Sequence, residues 1–371
     1  MPIIDLHEKP FSPETIAKLE IFESYFEAWL PVFIHTKYFN EIIVCDFFAG
    51  TGYDLNENEG SPIRILNNIN KYKKSIIKSS TKVHIIFNEF DRSKLDELKS
   101  QVDEITSEID IGNLLTIKYF STDFKELFED IQSDLIKKPN LLFIDQNGIK
   151  QVTEEVFRSL IEFNCSDFLF FISSSYFKRF SSEDCFQKYF PDLNPVDISK
   201  IAQSNIHTFV LNYYKEKIPE GNQTKIYPFT IKKEGNIYGL VFGSKHPLGV
   251  DKFLNIAWRA NKINGSANFD IDGDIPDAQL NIWGESKLTK IQKFTQELKL
   301  FLKTKDRTTN KEIYDYTCEQ GFTAKHATDL VRKWKNDGFL IFEGQPCINY
   351  SNCYKNNNLK IIKIASKYYG N

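Results

Sequence analysis

Short apolar runs alternate with longer polar-apolar stretches over the first two thirds of this chain. The runs at 42–48 (IIVCDFF), 83–89 (VHIIFNE), 114–120 (LLTIKYF), 141–145 (LLFID) and 168–173 (FLFFIS) are rich in β-branched and aromatic side chains. Near-continuous apolar character of this kind marks strands covered on both faces. Between them, residues 62–79, 91–108, 124–137 and 153–164 are long enough and polar enough for surface helices. Strands and helices in that order predict a parallel sheet with right-handed crossovers and helices on both sides.

Two later runs, 226–231 and 236–243, flank Lys232, Lys233, Glu234 and Gly235, a hairpin signal. An antiparallel pair closing a parallel sheet belongs to methyltransferase folds and is missing from plain dinucleotide-binding folds. The expected class is therefore α/β, a Rossmann-like methyltransferase fold, over residues 41–261. A helical segment precedes it: Ser12, Pro13 and Glu14 form a start signal, and Leu19, Phe22, Phe26 and Leu30 recur at helical spacing until Pro31 interrupts them. Residues 262–286, rich in Asn, Asp and Gly, read as a linker or an ordered connecting loop. Their Asp270, Asp272, Gly273 and Asp274 lack the distal Glu of a calcium loop, so a solvated acidic loop is expected there and no metal.

Residues 287–371 read as a winged helix. A first helix over 287–304 aligns Leu288, Ile291, Leu298 and Leu302; a second begins at 308–313, and a third runs from 323 to 335 until Asp337 and Gly338 stop it. Residues 339–350 then alternate around Gly344, Gln345 and Pro346, as a β-hairpin would. Charge divides with the domains. Residues 287–371 carry 14 Lys and 2 Arg against 8 acidic residues, a net +8, which leaves −11 on the rest. Lys325, His326, Arg332, Lys333 and Lys335 on the third helix are the candidate nucleic-acid contacts, to phosphate more than to bases.

No apolar run reaches the roughly 18 residues needed to span a bilayer, and the first ten residues lack the pattern of a leader, so a cytoplasmic location is expected. The six cysteines are scattered without CxxC spacing; buried reduced thiols are expected, and no zinc site.

The candidate chemistry lies at the strand ends. Asp46, Phe48, Ala49, Gly50, Thr51 and Gly52 form a glycine bend directly after the first strand, where backbone can approach a ligand closely. Glu89 ends the second strand, suited to two ribose hydroxyls; Asp123 follows the third, near an adenine amino group; Asp145 ends the fourth, facing a transferable methyl. Four such groups on one sheet edge outline a site for S-adenosylmethionine (SAM). The bend lacks the GxGxxG of a pyrophosphate site, and the acidic tract 56–59 after it suits an ammonium better than a phosphate, which disfavours NAD. Gly60, Ser61 and Pro62 read as a helix start, with Ser61 also a candidate to close over the cofactor. His35 and Lys37, just before the first strand, read as surface groups.

With these residues the chain resembles the three-Cys-motif partner proteins (TcmP). The match comprises residues 25–29 of the first helix, DFFAGTG at 46–52, GSP at 60–62, LLFIDQNG at 141–148, YGLVF at 238–242, then His246, Pro247 and Trp258. The resemblance implies a SAM-methyltransferase-like fold, a partner protein bearing three clustered cysteines, and a setting in phage defence or nucleic-acid modification. Family members read Asp-Pro-Phe-Gly where this chain has Asp145, Gln146, Asn147 and Gly148, so the proline and the base-stacking aromatic are lost. Two functions stay open. In one, the protein is a SAM-dependent methyltransferase, with Asp145, Gln146 and Asn147 facing an acceptor that the winged helix delivers. In the other, it is an inactive accessory subunit that retains the fold.

Overall fold

Seven strands form one sheet in the order β3-β2-β1-β4-β5-β7-β6, and only β7 runs against the rest. This computed structural model describes residues 10–36, 38–146, 148–233, 235–271, 273–274, 288–305 and 307–366, without the side chains of 184, 185 and 187. The chain divides into two compact units, residues 1–249 and 250–371.

The first unit opens with α1, Pro13–Ile34, capped by the Ser12 hydroxyl. It passes straight through Pro31, where an interruption was expected; the proline lies in the last turn, so the helix ends within four residues. Leu19, Phe22, Tyr25, Phe26, Trp29 and Leu30 line its buried face, and Phe22 stacks on Phe143 with centroids 4.0 Å apart. Then follow β1 (Glu41–Asp46), α2 (Ser61–Ser79), β2 (Lys82–Asn88), α3 (Arg92–Ile109), β3 (Leu115–Phe120), α4 (Phe124–Leu135), β4 (Asn140–Ile144), α5 (Glu154–Glu162) and β5 (Ser166–Ile172). β1 and β4 are covered on both faces, as their unbroken apolar sequences require.

Four helices beyond those expected follow β5: α6 (Ser174–Phe180), α7 (Asp184–Tyr189), α8 (Pro195–Lys200) and α9 (Ile206–Glu216). The first three are short and packed by rings such as Phe177 and Phe190, whereas α9 buries a regular face of Ile206, Val210, Leu211 and Tyr214. The hairpin β6 (Lys225–Lys233) and β7 (Asn236–Ser244) closes the sheet, with Lys233 paired to Asn236 across the turn. β6 is an outer strand and carries Pro228. Helix α10, Pro247–Ala260, ends this series and contains the division between the units.

In the second unit, Asn261 and Asn264 order the chain to Phe269 by side-chain hydrogen bonds to the Ala267 and Phe269 carbonyls. Asp274, expected in a solvated loop, is instead buried, and its Oδ2 accepts from the Lys290 N–H at the start of α11 (Lys290–Lys303). Asp272 and residues 275–287 lie outside the described residues. Phe294, Leu298 and Leu302 form the buried side of α11; Ile291, expected there, is 40% exposed because the register is set by Phe294. β8 (Arg307–Thr309), α12 (Asn310–Glu319), α13 (Ala324–Asn336), β9 (Leu340–Ile341) and β10 (Ile361–Ile364) complete the unit. Its sheet order is β8-β10-β9. The expected hairpin over 339–350 is not formed: β9 pairs with β10, twenty residues on, after a π-helical turn at Ser351–Lys355.

Among the described cysteines, Cys45, Cys318 and Cys353 are buried free thiols, whereas Cys165 is exposed and Cys347 partly so, against expectation. Among the described residues no helix is long and apolar enough to cross a membrane.

Candidate functional site

Asp46 ends β1, and its Oδ1 accepts from the Phe48 N–H at 3.2 Å, which starts the bend. Gly50 and Gly52 follow at φ 65° and 96°, the left-handed region that glycine enters without strain. The bend is strapped to the end of β2: Ala49 N–H donates to the Asn88 carbonyl (2.9 Å) and Gly50 N–H to Glu89 Oε2 (3.1 Å). The Asn88 amide donates to the Phe47 and Thr122 carbonyls and accepts from the Thr122 N–H, joining the ends of β1, β2 and β3. Sequence reasoning passed over Asn88, although an amide inside an apolar run is itself a signal.

Glu89 thus faces the bend. Its other oxygen accepts from the Asp91 N–H (2.9 Å), and each oxygen keeps a lone pair for a hydroxyl donor. Thr51 is buried, its hydroxyl donating to the Tyr53 carbonyl, while Phe48 packs on Phe124. Residues 52–60 close into a ring, with Gly60 N–H donating to the Gly52 carbonyl (2.7 Å). Asp54 holds that ring from inside, accepting from Phe11, Asn56 and Asn58, and Glu59 takes the Asn67 amide. Of the acids in the tract, Glu59 is thus engaged by α2, while Glu57 is exposed. A cleft of about 770 Å³ lies between this loop and α3, beside the strand ends rather than over them.

Asp46 is fully buried, and burial pushes its acid up to about 7; Asp145 and Glu89 add to the rise, while the Ser61 hydroxyl and the Phe48 N–H oppose it. Three carboxylates therefore converge behind the bend. Ser61 is the first residue of α2, whose cap is Gly60, so its hydroxyl is free to serve Asp46. Asp46 Oδ2 is buried without a hydrogen-bond partner, as are Thr122 Oγ1, Gln146 Nε2 and Ser173 Oγ. These four atoms sit at or just past the carboxyl ends of β1, β3, β4 and β5, and five more such atoms lie elsewhere among the described residues.

The other predicted residues are placed differently. Asp123 is exposed and caps α4 through the Lys125 N–H (2.9 Å), and no contact brings it to the bend. Asp145 is paired with Lys18 of α1, whose Nζ lies 2.7 and 2.5 Å from its two oxygens. Gln146 is buried and accepts from the Gln151 N–H through Oε1. Asn147 and Lys37 lie outside the described residues, and His35 is an exposed end of α1.

On α13, the five predicted basic residues separate into two kinds. Lys325, Arg332 and Lys333 are exposed, and of these only Arg332 also holds a neighbouring turn. His326 folds back on its own helix start, its Nδ1 accepting from the Thr323 N–H (3.2 Å), and rests on Trp258; burial holds it below the ordinary histidine range. Arg332 Nε donates to Gln345 (3.1 Å) and Lys335 Nζ to the Gly344 carbonyl (3.0 Å), so these two brace the turn after β9.

Strand order 3-2-1-4-5-7-6 with β7 reversed, together with a glycine bend after β1, defines a methyltransferase-like fold in the first unit, and the helices and small sheet of the second unit are those of a winged helix-turn-helix. More particularly, residues 269–346 match the family model of a GMT-like wHTH domain. Similar solved structures include Trm1 from Pyrococcus horikoshii with S-adenosyl-L-methionine (12% identity, TM-score 0.38, 68% of this chain and 61% of that one). The DszA carbon methyltransferase (12%, TM-score 0.34, 62% and 53%) and a putative O-methyltransferase from Klebsiella pneumoniae (11%, TM-score 0.31, 63% and 90%) are further examples. The chain spans about six tenths of the first of these and about half of the second. No curated protein sequence matches this chain.

Proposed function

We propose that the first unit binds SAM at the carboxyl edge of its sheet and that the winged helix binds the phosphate backbone of a nucleic acid. The observation that carries the first part is Asp46: a buried carboxylate with an unpartnered oxygen, reinforced by Glu89 and Asp145, behind a bend of side-chain-free residues. Asp145 already has Lys18 as its cation, so Asp46, with Glu89 nearby, is the charge left for a ligand to balance, and SAM presents both an ammonium and a sulfonium. Asp46, Ser61 and the bend would hold the amino-acid end, and Glu89 the ribose, with Phe48, Ala49 and Thr51 shaping the wall; Asp123 remains a candidate for the adenine edge. When bound, SAM supplies an electrophilic methyl group. Calorimetric titration tests this: heat from wild type that is lost in Glu89→Ala is expected, and an absence of heat from wild type ends the reading.

The nucleic-acid part rests on the +8 charge of residues 287–371 and on exposed Lys325 and Lys333. Arg332, Lys335 and His326 act by holding the wing and the helix start. A second reading is favoured by the pairing of Asp145 with Lys18, which occupies the carboxylate an incoming nucleobase amine would need. In that reading the protein is an accessory subunit, and the three-Cys-motif partner and a role in phage defence or nucleic-acid modification follow from the sequence resemblance. Transfer of label from SAM to DNA, RNA or a co-expressed partner separates the two readings.

A further inference from the structure

In a site that methylates amines, the group at the end of the fourth strand holds the acceptor nitrogen. Here that place is already filled by an amine of the chain itself. Lys18 Nζ contacts both oxygens of Asp145, at 2.7 and 2.5 Å, and lies 4.5 Å from the centroid of the Phe171 ring. The lysine is only 9% exposed. A carboxylate plus an aromatic face is what an alkylammonium requires of a binding site. The contact is also not a chance reach of a surface side chain. Lys18 lies one helical turn before Phe22, which stacks on Phe143, two residues before Asp145, so α1 and β4 are locked together where the pair forms.

We propose that Lys18 is a methyl acceptor of this site, so that the protein methylates its own Nζ with SAM as donor. This inference rests on the reading of the edge as a SAM site. In the step, the ammonium first yields one proton to solvent, and Asp145 keeps the nitrogen in place. The freed lone pair of Nζ then attacks the sulfonium methyl carbon. An N–C bond forms as the S–C bond breaks, the S–C electron pair stays on sulfur, and the products are methyl-lysine and S-adenosylhomocysteine. No oxidant or second substrate is needed. The aromatic face and the carboxylate hold the methylated ammonium as well as the original one, because both are cations.

The full-length protein, as purified and again after incubation with SAM carrying a trideuterated methyl group, is digested and the mass of the peptide containing Lys18 is measured. Methyl groups on Lys18, either present at isolation or added at a rate per molecule independent of protein concentration, are expected, and none on Lys18→Arg. A readout that needs no turnover accompanies it: Lys18→Met leaves Asp145 unopposed beside the sulfonium, so SAM affinity by calorimetry is expected to rise about tenfold. Circular dichroism establishes that both variants fold. If wild type binds SAM but Lys18 stays unmodified, the proposal is overturned and the cofactor reading stands; if wild type binds no SAM, both fall. Unchanged affinity in Lys18→Met would place the lysine away from the methyl and overturn it too. Label reaching added nucleic acid only in Lys18→Met would make the lysine a plug instead of an acceptor, and the proposal would again fall.

Discussion

Asp46 keeps its charge at an energetic cost. With its acid raised to about 7, the folded apo protein holds a proton between roughly pH 4 and 7 that the unfolded chain has already released. Stability from this residue therefore falls as pH rises through that window. A cationic ligand reverses the balance by favouring the ionised form. SAM affinity is thus expected to climb by up to about tenfold per pH unit below 7 and to level off above it. Calorimetry at pH 6 and 8 checks this, and a flat affinity would contradict it. Asp46→Asn is expected to bind SAM weakly or not at all, yet to stabilise the apo protein at pH 8 by about 2–4 kcal/mol in denaturant titrations. A different residue-scale constraint lies at Gly239, where a Cβ would come 2.2 Å from His207 Nε2. His207 cannot yield, because Ser174 (2.7 Å) and the Leu240 carbonyl (3.2 Å) hold its ring. Gly239→Ala should therefore cost about 3 kcal/mol; a denaturation midpoint equal to wild type would refute this packing.

Among the elements, α13 shows how a charged helix divides its labour. Lys325→Ala with Lys333→Ala is expected to weaken nucleic-acid binding and to reduce the slope of log affinity against log salt by about 2. Lys335→Ala releases the Gly344 carbonyl, and should lower the thermal stability of the wing more than it alters that slope. Fluorescence anisotropy over a salt series separates the two; equal slopes for both variants would show that exposure is no guide to contact. The same scale shows what the sequence could reveal. β1 and β4 were legible because burial on both faces leaves an unbroken apolar run; β3, expected to be covered likewise, is instead an outer strand with partly covered and exposed positions, and was legible only from its β-branched and aromatic residues. α2 to α5 were legible because their boundaries follow from those runs. Helices α6 to α8 were not, since helices of six or seven residues are too short to show a period, whereas α9 does carry one in Ile206, Val210, Leu211 and Tyr214 and was passed over. β10 was missed because the π-helical turn at Ser351–Lys355 delays the returning strand. The bend and Glu89 could be read from local sequence. Lys18 could not: its partner is 127 residues away, and nothing near Lys18 marks it.

For the molecule as a whole, buried titratable groups set a pH profile that the near-neutral net charge of −3 does not suggest. Burial pushes Asp167 up to about 6, as it does Asp46, and pushes His207 down to about 4. The two carboxylates make stability fall with rising pH above about 4. His207, buried neutral, opposes them between about 4 and 6.5, where the unfolded chain is the one that binds its proton. Near pH 5 the folded state holds two such protons and the unfolded state one, a net loss of about 1.4 kcal/mol per pH unit. Scanning calorimetry of the apo protein should find the unfolding temperature of the first unit higher at pH 5 than at pH 8, and the reverse order would contradict the burial of these acids.

Pro228 on the outer strand has a consequence for how the protein behaves in concentrated solution. An open strand edge offers a ladder of donors and acceptors to any passing chain, and a ring that lacks an N–H removes one rung. A Pro228→Val variant would regain that rung in a segment, Ile226 to Ile231, already rich in β-branched and aromatic residues. Its native fold should survive, but light scattering on storage should reveal assembly edge to edge, and a variant as clear as the parent would mean that something else guards this border.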